Sequence, residues 1–179
     1  MHIAQIGEAV LKQQAHDVPA EAFGTTELKG FTEGLLQTML DANGVGIAAP
    51  QVFDGRAMMY VASRPSPRYP DAPQMEPLLL INPRIISQSD KWVWAWEGCL
   101  SVPALRGFIQ RPDQVDVSYQ DIDGKHCQIH FEGFLARIFL HEHDHLIGKT
   151  WLDHVTSTEQ IMAESVWLQQ VAGVSGTAH

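Results

Sequence analysis

Between Gly133 and Ile147 the chain sets Phe134, Ile138, Leu140 and Ile147 among helix formers and closes on Gly148, a residue suited to the left-handed position after a helix. Inside this segment His141, Glu142 and His145 spell HExxH. Residues four apart in a helix are turned by only about 40° around its axis, so the two imidazoles project side by side and can grip one ion. Glu142 is turned about 100° from His141, out of the ligand pair but within reach of water at the ion, which is the place of a general base. His143 falls on the opposite side and is not assigned to the metal. Asp144 is placed to orient a neighbour.

Two imidazoles do not complete a site, so the rest of the chain must supply another ligand. Cys99 stands upstream in EGCLS, Glu97 to Ser101, a glycine-flanked strand edge. One thiolate with two imidazoles leaves a fourth tetrahedral position open, the arrangement of a catalytic rather than a structural site. Taken alone, Cys99 also reads as a buried core thiol. Downstream, His145 to Gly148 begins like HExxHxxGxxH, but Trp151 holds the last ligand position. Glu159 and Glu164 keep a glutamate-type HExxH zinc metallopeptidase open as an alternative.

The surroundings read as an α+β fold with short antiparallel strands around the HExxH helix, in a single domain over 1–179. Leu28, Phe31, Leu35, Leu36, Met39 and Leu40 follow helical spacing from Thr26 to Asn43, with Thr25 or Thr26 as N-cap and Gly44 as stop. Arg56–Ala62 and Leu78–Asn82 read as buried strands. The segment between them, 63–77, holds five of the ten prolines and reads as an irregular loop of open role. Val115, Val117 and Tyr119, then Cys127, Ile129 and Phe131, alternate about an Asp123-Gly124 turn as a hairpin, which points Cys127 toward the core. A last helix is expected over 158–172.

Composition narrows the function. Against 12 Lys and Arg stand 21 Asp and Glu, a net charge of -9, which argues against bulk nucleic-acid binding. Two cysteines do not make a disulfide framework. Met1 to Lys12 lacks the charged and apolar regions of a signal peptide, and no run reaches transmembrane length, so a cytoplasmic protein without membrane association is expected.

Gly44 to Gln51 reads GVGIAAPQ. With EGCLS and HEHDHLIG following in this order, the chain resembles the peptide deformylases, whose signature segments are GxGxAxxQ, EGCLS and QHExDHxxG, over about residues 6 to 155. The resemblance implies an α+β fold, one divalent ion, often Fe2+ in the cell with Zn2+, Ni2+ or Co2+ as alternatives, and N-formylmethionyl peptides as substrate. It implies Cys99, His141 and His145 as ligands, Glu142 as acid/base, and Gln51 with the Leu100 backbone N–H as the oxyanion site. Gly46 would pair with the peptide backbone, Val45, Leu100 and Phe134 would line the methionine pocket, and Arg106 would contact the peptide. Glu142 would take a proton from the attacking water and return it to the departing amine as formate leaves. A catalytically silent formyl-peptide binder is a further alternative, though such a protein has no need of Glu142.

Two departures stand out. Leu140 occupies the place where the family usually has Gln, from which an altered helix environment is expected rather than loss of function. After Lys149 the chain has no Lys or Arg, so it lacks the basic C-terminal helix by which some relatives dock on ribosomal RNA, and meets nascent chains by transient encounter or serves a separate pool of formyl peptides.

Overall fold

The structure is a computed structural model that describes residues 1–173. Helix α1 spans Thr26–Asp41. Its N-terminus is capped by Thr25, whose hydroxyl accepts from the Leu28 N–H at 3.3 Å. The stop differs from expectation: Asn43, not Gly44, takes the left-handed backbone, at φ 52°, while the Gly44 N–H closes on the Met39 carbonyl at 2.9 Å. Asparagine's short polar side chain tolerates that conformation.

Strands follow as β1 (Gly46–Ala48), β2 (Met58–Ser63), β3 (Met75–Gln88), β4 (Trp92–Cys99), β5 (Val102–Pro112), β6 (Gln114–Gln120) and β7 (His126–Glu132). Then come α2 (Gly133–Leu146), β8 (Ile161–Ala163) and α3 (Glu164–Gln170). An antiparallel sheet in the order β1-β2-β3-β6-β7 carries most of the fold, and a second, β4-β5-β8, stands beside it. This is the α+β class expected.

The central strand explains the layering. Successive side chains of β2 point to opposite faces. Met58 and Tyr60 pack with Leu28, Leu35 and Met39 of α1, and Met59 and Val61 pack with Phe139, Leu140 and Leu146 of α2. Both faces are therefore covered, which is why β2 reads as an unbroken apolar run. A third, smaller core of Val102, Ile109 and Trp151 sits under the second sheet.

Four further details correct the sequence reading. The strand expected over Leu78–Asn82 is the centre of a longer β3, whose exposed ends carry too little apolar pattern to be read alone. The long β4-β5 pair was overlooked, because Trp92, Trp94 and Trp96 alternate with the apolar Val93 and Ala95 and so show no contrast between a buried and a polar face. The helix expected over 158–172 is a 3-10 turn at Thr158–Gln160, then β8, then the short α3. Tertiary pairing overrides helical spacing there: Ile161 and Ala163 face Gly107 and Leu105 across β8 and β5. Cys127 is only half-buried near the hairpin turn, where its thiol lies 3.6 Å from the Lys125 carbonyl, so the inward face of β7 is sealed chiefly by Phe131.

Candidate metal centre and active cleft

Helix α2 begins at Gly133 and ends before Gly148, both at positive φ. A Cβ at Gly148 would fall on the backbone of Lys12, so glycine is needed there for space as well as conformation. His141, Glu142 and His145 are all buried within this helix. Cys99 arrives from the end of β4. Its Sγ lies 3.2 Å from His145 Nε2, and one donor atom each from Cys99, His141 and His145 lie within 4.8 Å of one another. The site is thus a Cys/His/His set completed from the second sheet. Glu164 is engaged elsewhere, by Arg106, and neither it nor Glu159 belongs to the cluster.

The donor chemistry fits a divalent cation. Burial alone would raise the Cys99 thiol, but His145 and His141 outweigh it and hold the thiol well below its ordinary range. The thiolate that a metal needs is thereby favoured. His141 Nδ1 is 2.8 Å from Glu97 Oε2, which fixes the ring and leaves Nε2 for the ion. Two buried polar atoms in the site, Glu142 Oε2 and His145 Nδ1, have no protein partner.

Glu97 was not singled out from the sequence. It is only 4% exposed and accepts from Arg111 Nε at 2.8 Å, Arg111 Nη2 at 2.9 Å and Arg137 Nη1 at 2.8 Å. Its burial opposes ionisation, yet Arg111 and His141 keep the carboxyl far below the usual carboxylate range. Arg111 reaches on to Asp144 Oδ2 at 2.7 Å, which also meets His154 Nε2 at 2.8 Å. Asp144 therefore steadies the carboxylate's partner rather than a ligand. The signal for Glu97 was its position two residues before Cys99, on the same side of a strand.

Glu142 stands across from the first glycine loop. A Cβ at Gly46 would fall on its carboxylate, so only glycine lets β1 pass this close. Burial pushes Glu142 up to about 7, against the pull of His141 and His145. Gln51 lies in a 3-10 turn at Ala49–Val52 and is held at both ends: Oε1 accepts from the Ala48 N–H at 2.8 Å, and Nε2 donates to Ser101 Oγ at 3.1 Å. Nε2 is also 3.7 Å from Cys99 Sγ. The amide is thus aimed into the site by its neighbours.

These groups form the floor of a cleft of about 710 Å³. Val45, Gly46, Gln51, Leu100, Arg106 and Phe134, all singled out from the sequence, line it with the Cys/His pair and Glu142. The proline-rich loop, whose role sequence left open, supplies Arg64 to Tyr69 as another wall. Arg106 is deeply buried there: it donates to the Tyr69 hydroxyl at 2.8 Å, pairs with Glu164, and stacks 4.6 Å over the Trp167 ring. Tyr69 packs on Phe134 with ring centroids 4.9 Å apart. Tyr69 and Trp167 were missed, being single aromatics in a loop and a short helix. Leu140, where the family usually has Gln, is buried in the main core beside Phe139, so the departure is absorbed by packing.

The profile of the polypeptide deformylase family matches residues 1–160. Peptide deformylase 2 of Nostoc sp. is 42% identical over 169 residues, covering 94% of this chain and 93% of that protein. Peptide deformylase 2 of Shewanella oneidensis is 47% identical over 163 residues, covering 90% and 88%. The Met-Ala-Ser-bound crystal structure of the class I type b peptide deformylase from Acinetobacter baumannii superposes with a TM-score of 0.84 at 42% identity, covering 86% of this chain and 96% of that one. With nearly full-length matches in sequence and fold, this chain belongs to the peptide deformylase family.

Proposed function

We propose that the protein hydrolyses the N-formyl group of N-terminal formylmethionine on nascent polypeptides, releasing formate and a free amine. The observation that carries this reading is the buried Glu142 carboxylate, with one oxygen unpartnered, beside a three-donor set that includes a thiol. Cys99, His141 and His145 would hold one divalent ion. Such an ion, when bound, acts as a Lewis acid toward a carbonyl oxygen and acidifies water. One thiolate and two imidazoles suit iron, zinc, nickel and cobalt alike; Fe2+ is our assignment for the cell.

Glu142 takes the proton of the attacking water and delivers it to the departing nitrogen as the C–N bond breaks. Gln51 Nε2 and the Leu100 N–H donate to the oxygen as charge builds on it, each such donor being worth about 3 kcal/mol of barrier. Gly46 offers its backbone to the peptide, and Val45, Leu100 and Phe134 enclose the methionine side chain. Arg106, held by Tyr69 and Glu164, shapes the path of the following residues. A zinc-peptidase reading is disfavoured because Glu164 is engaged by Arg106 and the third donor is Cys99.

Formate release from formyl-Met-Ala-Ser by anaerobically purified protein tests the proposal. Glu142→Ala should retain metal and lose about 10²- to 10⁴-fold in rate. Cleavage of internal peptide bonds without formate would establish a peptidase instead.

We place the protein in the cytoplasm. No helix among the described residues is long and apolar enough to cross a membrane. Its encounter with the ribosome is transient: residues after Lys149 offer no Lys or Arg, with 174–179 lying outside the described residues. Co-sedimentation should find no salt-sensitive ribosome binding through residues 157–179, and tight, salt-sensitive binding would overturn this assignment.

A further inference from the structure

The cleft is walled on one side by a loop whose charges contrast with the rest of the molecule. In a chain of net charge -9, the mouth gathers Arg64, Arg68 and Arg106, with Glu164 as the carboxylate among them. These arginines are not equivalent. Arg106 is 4% exposed and its charge is met by Glu164. Arg68 lies 3.9 Å from the same carboxylate, too far for a tight pair, and its other amine donates to the Asn43 carbonyl at 3.0 Å. Arg64 is exposed on the cleft wall. One carboxylate thus faces three guanidiniums, and the uncompensated charge rests on Arg64 and Arg68.

The loop that carries them is fixed. Tyr69 is anchored by the Arg106 hydrogen bond and by packing on Phe134 and Trp167. Ser66 and Tyr69 exchange backbone hydrogen bonds at 3.1 and 3.0 Å, closing a turn that contains Arg68 and follows directly on Arg64 and Pro65. Prolines 65 and 67 limit it further. Arg64 and Arg68 are therefore held at the mouth, where a peptide seated by its formylmethionine would extend.

We propose that Arg64 and Arg68 make the enzyme select formyl peptides with an acidic side chain in the residues that follow methionine. This rests on the deformylase reading and adds a specificity to it. The attraction is between solvent-reachable charges, so it is modest and screened by salt.

The test measures kcat/KM for formate release from formyl-Met-Ala-Ser-Ala and from versions with one Asp or one Lys at the second, third or fourth position. Wild type should favour Asp over Lys by about fivefold at one position or more in low salt, the ratio shrinking toward one at high salt. The double variant Arg64→Glu/Arg68→Glu should reverse the ratio. Arg64→Gln/Arg68→Gln, which removes the charges but keeps polar side chains, should bring it near one. Equal rates for Asp and Lys peptides in wild type, or a ratio unmoved by both variants, overturns this proposal alone. Absence of formate from every peptide overturns the deformylase reading and this inference with it.

Discussion

Glu97 shows how one side chain can serve chemistry and architecture together. It turns His141 toward the metal position while accepting from Arg111 and Arg137. Partners that orient a metal-ligating imidazole are commonly worth 10- to 100-fold in metal affinity. Breaking a buried ion pair from one side costs roughly 3–5 kcal/mol, because the charge left behind stays desolvated. Glu97→Gln should therefore weaken metal binding by about that factor in chelator competition and lower the unfolding free energy by about that amount in denaturant titration. A loss of affinity without loss of stability would mean that Arg111 and Arg137 find other partners. The ligand pair and Glu142 were legible in the sequence because helical periodicity alone puts them on neighbouring faces. Glu97 was not, since its bond to His141 spans 44 residues and exists only where β4 crosses α2.

At the level of elements, local pattern succeeded where one face was buried on one neighbour. Helix α1 and the β6-β7 hairpin have such faces, whereas α2, buried nearly all round, was marked instead by its glycine ends and the spacing of His141, Glu142 and His145. Pattern failed for β8 and α3, where short pieces take their conformation from β5 and Trp167 packs under Arg106. A similar long-range tie joins the N-terminal segment to the turn after α2. Lys12 Nζ meets both Asp153 oxygens at 2.9 Å, and Asp153 Oδ2 also accepts from the Thr150 N–H at 2.8 Å. Partial burial opposes ionisation of Asp153, but Lys12 and Thr150 hold its carboxyl below the ordinary range. A carboxyl depressed in the folded state stabilises fully above its unfolded pKa, about 3.9, and loses that contribution as pH falls through the folded value. Asp153→Asn should thus cost up to about 1 kcal/mol at neutral pH, most of the ion pair being exposed, and the gap to wild type should close at pH 2. A gap that persists there would assign the effect to the turn geometry alone.

The whole molecule sets its reactive groups between two sheets: the ligand pair and base on α2, packed on the larger sheet, and the thiol on the smaller one. An ion bound by both should couple them. Chelator-stripped protein should melt at a lower temperature than loaded protein, with a difference of about 2.7 kcal/mol when free metal stands at a hundred times its dissociation constant. Identical melting curves would show that the sheets dock without help from the ion. The sequence carried the class of this fold and the identity of its ligands, but not the second sheet, whose pairing is a property of distant segments. The buried Glu97-Arg111-Arg137 cluster joins the same two halves. Anyone redesigning this enzyme for another metal or reaction will find that substitutions there trade catalytic tuning against yield of folded protein. The rim arginines Arg64 and Arg68 are separate from that cluster, so a mutant library directed at them explores new selectivity while the scaffold survives.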